Sequence, residues 1–318
     1  MESTQTRRST NLNRFRDYRR LRILLTGATG QVGWELQKSL SSLGEVIAYD
    51  RTGLDLSDSQ AIREKVLQLK PDLIVNAAAY TAVDRAETES KLAIAINQTA
   101  PQILAESAAQ IGASLIHYST DYVFDGKLDR PYREDDLTNP LGIYGKTKLA
   151  GEQAIAKVGI PYLIFRTSWV YGNRGKNFML TMLRLAREKP ELRVVADQIG
   201  APTWSQLIAE TTSEVIEKIS ERSEIESCTF AESLSQVQGV YHLTNSGFTS
   251  WHGFAQAIFA ADPQAEEQVL ERLIAIATSE YPTPAQRPAN SRLDLTKISQ
   301  TFDLTLPTWE DGLKQAII

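Results

Sequence analysis

From Leu21 onward, short apolar runs alternate with longer stretches in which apolar residues recur at helical spacing. Arg22-Ile23-Leu24-Leu25-Thr26 is a strand pattern that runs into a glycine-rich turn. Residues 31–43 then carry Val32, Leu36, Leu40 and Leu43 on one helix face. Strand 46–49 ends at Asp50, and helix 57–69 is stopped by Pro71. The cycle repeats as strand 73–75, a mostly helical stretch 91–111, strand 114–118, helix 146–157 and strand 162–165. Within 91–111, Pro101 predicts a break or restart. Almost wholly apolar strands alternating with helices predict a parallel sheet covered on both faces.

After Thr167 the pattern loosens. Residues 176–188 read as a helix, and 194–195 and 240–243 as short strands. Residues 220–238 are polar, rich in Ser and Glu, and read as an exposed connection. Pro282, Pro284 and Pro288 predict a stiff, extended segment before Asp294. The expected fold class is α/β: a doubly wound parallel sheet of Rossmann type with a smaller, discontinuous, mixed α/β substrate lobe. Residues 1–20 are expected to be a flexible tail. Residues 21–167 plus about 239–276 are expected to form the dinucleotide-binding domain, and 168–238 plus 277–318 the lobe. In this topology ligands bind at the carboxyl edge of the strands.

That edge carries the informative residues. Thr26-Gly27-Ala28-Thr29-Gly30-Gln31-Val32-Gly33 lies between the first strand and the first helix. Glycine permits a tight turn there, and the helix N-terminus offers unbonded N–H groups to a pyrophosphate. Gly33 would let the helix pack closely on the strand. The spacing is Gly-x-x-Gly-x-x-Gly, which departs from Gly-x-Gly-x-x-Gly. Asp50, at the end of the second strand, is placed to accept hydrogen bonds from a ribose and favours NAD(H). Arg51 could pair with a 2′-phosphate and keeps NADP(H) open. Ala77, Ala78 and Ala79 end the third strand and leave room for a flat ligand.

The candidate chemistry lies in Tyr144-Gly145-Lys146-Thr147-Lys148. Tyr144 and Lys148 are four residues apart, on one helix face. An ammonium beside a phenol is expected to lower its pKa and make it a general acid suited to carbonyl reduction. Ser119-Thr120-Asp121 follows the fourth strand, so Thr120 could polarise a substrate carbonyl or make a local turn bond. Trp169 follows the fifth strand, as an apolar wall for a sugar or a core residue.

Composition narrows the classes. The 318 residues carry a net charge of -5, which gives no basic excess for nucleic acid. Cys228 is the single cysteine, so an intrachain disulfide is impossible, and a reducing, cytoplasmic setting is expected. No apolar run reaches the roughly 20 residues of a membrane helix. His117, His242 and His252 lack metal-ligand spacing, so no metal is expected. His117, inside an apolar strand, reads as a core or near-cofactor residue. No Gly-x-Ser-x-Gly elbow is present.

Taken together, these segments resemble the extended short-chain dehydrogenase/reductases. Further matches are residues 75–84, 118–126, 144–152, 166–171, 197–203 and 287–293. The resemblance spans about residues 21–318, and 118–152 is its most specific part. It implies Tyr144 as proton donor, Lys148 binding the nicotinamide ribose and tuning Tyr144, and Thr120 completing the trio. It implies Gly30, Gln31 and Val32 at the pyrophosphate, Asp50 at the adenosine ribose, and Asp55 and Leu56 at the adenine. Ala77 to Ala79 and Tyr118 would line the cofactor, while Thr120, Asp121 and Trp169 would face the sugar. The implied reaction is reduction of dTDP-4-dehydro-β-L-rhamnose at C4 with NADPH or NADH; apart from that resemblance, a homodimer stays open.

Two rivals stay open. A nucleotide-sugar epimerase or dehydratase shares the turn and the Tyr/Lys pair. Dehydratases of this group, however, place a second acid after Thr-Asp, where this chain has Tyr122. Epimerases need no external reductant. A non-catalytic regulatory subunit would bind cofactor without turnover.

Overall fold

Strands that are apolar on both faces can be buried only side by side beneath helices. The computed structural model describes residues 20–317 and shows this arrangement. The expected tail, apart from Arg20, lies outside the described residues. In chain order the first half runs β1 (Leu21–Thr26), α1 (Gln31–Ser39), β2 (Gly44–Tyr49), α2 (Ser59–Leu69), β3 (Leu73–Asn76), α3 (Val83–Ala86), α4 (Ser90–Ile94), α5 (Ala100–Ile111), β4 (Ser114–Thr120), α6 (Ile143–Val158) and β5 (Tyr162–Thr167). The second half runs β6 (Val170–Tyr171), α7 (Phe178–Glu188), β7 (Glu191–Val195), β8 (Ile199–Gly200), β9 (Thr203–Trp204), α8 (Ser205–Ile225), α9 (Phe230–Ser235), β10 (Gly239–His242), β11 (Thr249–Ser250), α10 (Trp251–Ala261), β12 (Arg272–Ile276), β13 (Asn290–Ser291), α11 (Thr296–Phe302) and α12 (Trp309–Ala316).

The main sheet has the order β10-β5-β4-β3-β1-β2, and every pairing is parallel. Its strands alternate between two cores. On β1, Ile23 and Leu25 face the layer of α1, α8 and α11, while Leu24 faces α2 and α5. The chain leaves β1 for β2 on one side and for β3 on the other. That reversal opens a crevice at the carboxyl ends of the strands, between β1 and β3.

Pro101 does mark a restart. The helix is interrupted by a π segment at Ala95–Thr99, and Pro101 sits at the start of α5, where a missing N–H costs little. The wider turn pushes Asn97 inward. Its side chain accepts from Tyr80 N at 2.8 Å and donates to Tyr80 O at 3.0 Å. Gly151 of α6 passes so close that a Cβ there would lie 2.2 Å from Asn97 O.

One expectation needs correction. Residues 220–238 are not an open connection but the last turns of α8 followed by α9. Leu207, Ile208, Val215, Ile216 and Ile219 form the buried stripe of α8, and its Ser/Glu-rich end is the solvent side of the same helix. α8 packs on α1, with Ser213 donating to Ser39 O at 2.8 Å. By contrast, α10 joins Tyr171, Met179, Trp204 and Trp309 in the core of the second lobe, and β12 pairs with β7. Between residues 239 and 276, only β10 enters the main sheet.

Candidate active site

A cleft of about 540 Å³ opens at the carboxyl ends of β1 to β5. Gly27, Gly30, Gln31, Val32, Asp50, Arg51, Asp55, Leu56, Ala77, Ala78, Ala79, Tyr118, Tyr144 and Lys148 all line it. Gly33 does not, and its reason is packing. A Cβ there would lie 2.0 Å from Gly27 O, so only glycine lets α1 meet the turn. Gly27 has φ +77° and presses against Ala77 and Ala78. Among the described residues, no side chain caps the N-terminus of α1. Its first amides therefore keep their capacity for an anion.

Asp50 uses Oδ1 to close its own loop, accepting from Thr52 N at 2.9 Å, Thr52 Oγ1 at 2.7 Å and Gly53 N at 3.0 Å. The Thr52 bond is the largest of the effects that lower its pKa. Asp55 likewise holds Ser57. Arg51 is exposed and only loosely paired with Asp55, at 3.9 Å. Its guanidinium is thus available at the mouth of the cleft.

Tyr144 and Lys148 do share one face of α6, and both reach the cleft. The expected tuning of one by the other is not what the geometry gives. Lys148 turns to the sheet, donating to Tyr118 O at 2.5 Å and meeting His117 Nε2 at 3.1 Å. Burial pushes Lys148 down to about 8. Burial also pushes the Tyr144 phenol up to about 12, against a lowering by its hydrogen bond with Thr120. The phenol is therefore protonated at neutral pH. Low local polarity outweighs any charge on the amine.

Thr120 is buried beneath Tyr144. The single hydroxyl proton of Thr120 can go either to Tyr144 or to Asp121 Oδ1, 3.0 Å away, while its oxygen accepts from Tyr122 N at 3.2 Å. Burial pushes Asp121 up to about 6. Trp169 stands apart from the residues that line the cleft. It stacks on Trp251 with 3.6 Å between ring centroids, has φ +45° and lies against Gly200.

Several residues at the site went unread in the sequence. Thr167 lines the cleft, and its buried hydroxyl has no hydrogen-bond partner among the described residues. Ser119 also lines it and donates a short hydrogen bond to the buried Glu152. Lys176 joins Arg51 and Lys148 as a third basic residue of the wall. Arg287, from the proline-rich segment, pairs with Asp84 at 2.9 Å and bonds Tyr122, whose ring meets that of Tyr144 edge-on at 5.4 Å. Asp84 and Arg287 both fall in the matching segments, but 203 positions of chain separate them and hide the pairing.

The family model described as the RmlD substrate binding domain matches residues 21–318. A dTDP-4-dehydrorhamnose reductase of Escherichia coli K12 is 47% identical over 302 residues, covering 93% of this chain and 97% of that protein. A solved dTDP-4-dehydrorhamnose reductase from Clostridium acetobutylicum is 37% identical with a TM-score of 0.83, covering 93% of this chain and 98% of that one. Another, from Bacillus anthracis and in complex with NADP, is 34% identical with a TM-score of 0.82 and the same coverage.

Proposed function

The chain belongs to the family described as the RmlD substrate binding domain, and from that premise we propose that it reduces the C4 keto group of dTDP-4-dehydro-β-L-rhamnose. The product is dTDP-β-L-rhamnose, the reductant is NADPH or NADH, and the step belongs to dTDP-rhamnose synthesis. The observation that carries this reading is the meeting of Tyr144 and Lys148 in one cleft with a glycine turn and an uncapped helix end.

The residues present fit a dinucleotide. The turn from Gly27 to Gly33 suits a pyrophosphate, Asp50 and Asp55 the adenosine side, and the alanines of 77–79 a flat ring. The unpartnered Thr167 hydroxyl offers one more hydrogen bond inside the cleft. The reduced nicotinamide supplies hydride when bound. The protein's part is the proton. The Tyr144 hydroxyl gives it to the C4 oxygen as that oxygen gains electrons, and Thr120 holds the hydroxyl in place by a hydrogen bond. Lys148 offers its remaining N–H to the ribose. A dehydratase reading lacks its second acid, since Tyr122 follows Asp121.

Following the absorbance of NADPH and NADH separately, with enzymatically generated keto-sugar, tests the proposal. One reductant consumed per sugar is expected, and no consumption of either would sink it. Arg51→Ala is expected to raise KM for NADPH about tenfold, the loss of one charge-assisted contact, and to leave NADH unchanged. Equal effects on the two would remove Arg51 from cofactor choice. Turnover should also fall on the alkaline side. Lys148 is charged below about 8 and neutral above it, so the midpoint belongs near that pH. A profile flat well beyond it would take the lysine charge out of the reaction.

A further inference from the structure

Three buried polar residues lie abreast across the sheet. Thr26 of β1 is opposite Asn76 of β3, and Asn76 is opposite His117 of β4. Side chains in register on adjacent parallel strands point to one face, and here that face lies toward α6 and Lys148. The row forms a continuous chain of hydrogen bonds. Thr26 Oγ1 to Asn76 Oδ1 is 2.7 Å, Asn76 Nδ2 to His117 Nδ1 is 3.0 Å, and His117 Nε2 to Lys148 Nζ is 3.1 Å.

The direction of this chain is assigned from its fixed donors. The backbone N–H of Ala78 can only donate, and it reaches Asn76 Oδ1 at 3.3 Å. Thr26 donates to the same oxygen. With its carbonyl so engaged, Asn76 presents its NH2 group to His117. An amide N–H can only donate, so Nδ1 accepts. A neutral imidazole carries one N–H, which must then sit on Nε2 and face the lysine. Burial first, and the nearby Lys148 second, hold His117 well below its usual pKa, so it stays neutral.

We propose that His117, oriented by Asn76, is a positioning residue that acts through Lys148: its Nε2–H donates to the lysine nitrogen only when that nitrogen is uncharged, and so lowers the pH at which the charged, working form is lost. A nitrogen that accepts this bond needs a lone pair, which the ammonium lacks. One amine N–H goes to Tyr118 O, and one remains for the cleft. A charged amine would set N–H against N–H in dry surroundings, a desolvation cost. The other groups around Lys148 do not reverse this. Glu152, one turn along α6, favours the charge, but Arg166 of β5 neutralises it at 2.6 Å. The Tyr118 and Tyr144 phenols are both raised and uncharged.

The proposal rests on Lys148 being a working residue of the reductase, and one of its two tests needs no activity. In ¹⁵N-labelled, ligand-free protein, the His117 signals are those lost in His117→Gln. Nε2 is expected to be pyrrole-like and Nδ1 pyridine-like, and the opposite tautomer would overturn the proposal. An inactive protein with the expected tautomer would defeat the reductase reading alone. In active protein, His117→Leu is expected to move the alkaline limb of kcat upward by roughly half to one unit, with KM for the keto-sugar unchanged. A limb that stays or moves down would overturn the proposal, because a histidine that only fills space changes stability and not the limb. If His117→Leu does not fold, the tautomer of the wild type still decides.

Discussion

Tyr144→Phe is expected to lower turnover of the keto-sugar by roughly 100-fold or more. The change removes one oxygen from a ring that α6 holds against Tyr122, so the fold has little reason to respond. It leaves Thr120 with its two local bonds and Lys148 with both of its contacts. Affinity for NADPH should therefore change little, as measured by fluorescence titration. What disappears is the group proposed to give a proton to the nascent alkoxide. Water entering a partly closed cleft is a poor substitute, because it is neither positioned nor acidic enough. Retention of most of the turnover would mean that the proton comes from elsewhere, and the raised Asp121 beside Thr120 would become the group to test.

Arg166→Met is expected to cost about 3–5 kcal/mol of stability, read as a lower urea midpoint with unchanged slope. Arg166 and Glu152 are each 4% exposed in their side chains and meet by three contacts, of which the shortest is 2.6 Å. Removing the guanidinium leaves a carboxylate in the interior with Ser119 alone, among the described residues, to satisfy it. Removing both charges should hurt less than removing one, since a buried pair barely repays its desolvation. Arg166→Met combined with Glu152→Leu is thus expected to recover part of the loss. A double variant as unstable as the sum of the singles would show that the pair contributes through packing alone.

Much of the sheet was legible in the sequence, because its signal is local. Apolar runs bounded by turns give strands, and the edge on which they end gives the cleft. That is why Gly27, Asp50, Ala77, Tyr144 and Lys148 were foreseen and meet in one place. The lobe was harder. The polar end of α8 imitates a loop, since exposed Ser and Glu carry no periodicity by themselves. Electrostatics was harder still. A four-residue spacing says that two side chains share a face, but not that the amine turns into the sheet toward His117 instead of toward the phenol. The pairing of Arg287 with Asp84 depends on segments far apart in the chain, so neither residue announces the other.

The π segment at Ala95–Thr99 carries one residue more than an ordinary helix would need there. Deleting a residue from it would let the chain coil evenly into α5, and local propensity would favour the shorter version. Each helical residue, however, advances the winding by about 100°. The deletion would rotate everything upstream by that angle relative to α5, swing Asn97 away from Tyr80 and unseat the loop that follows the cleft-lining alanines. Length at this spot is thus held by geometry downstream of local preference. Relatives that accept insertions freely in surface loops should keep this stretch at constant length.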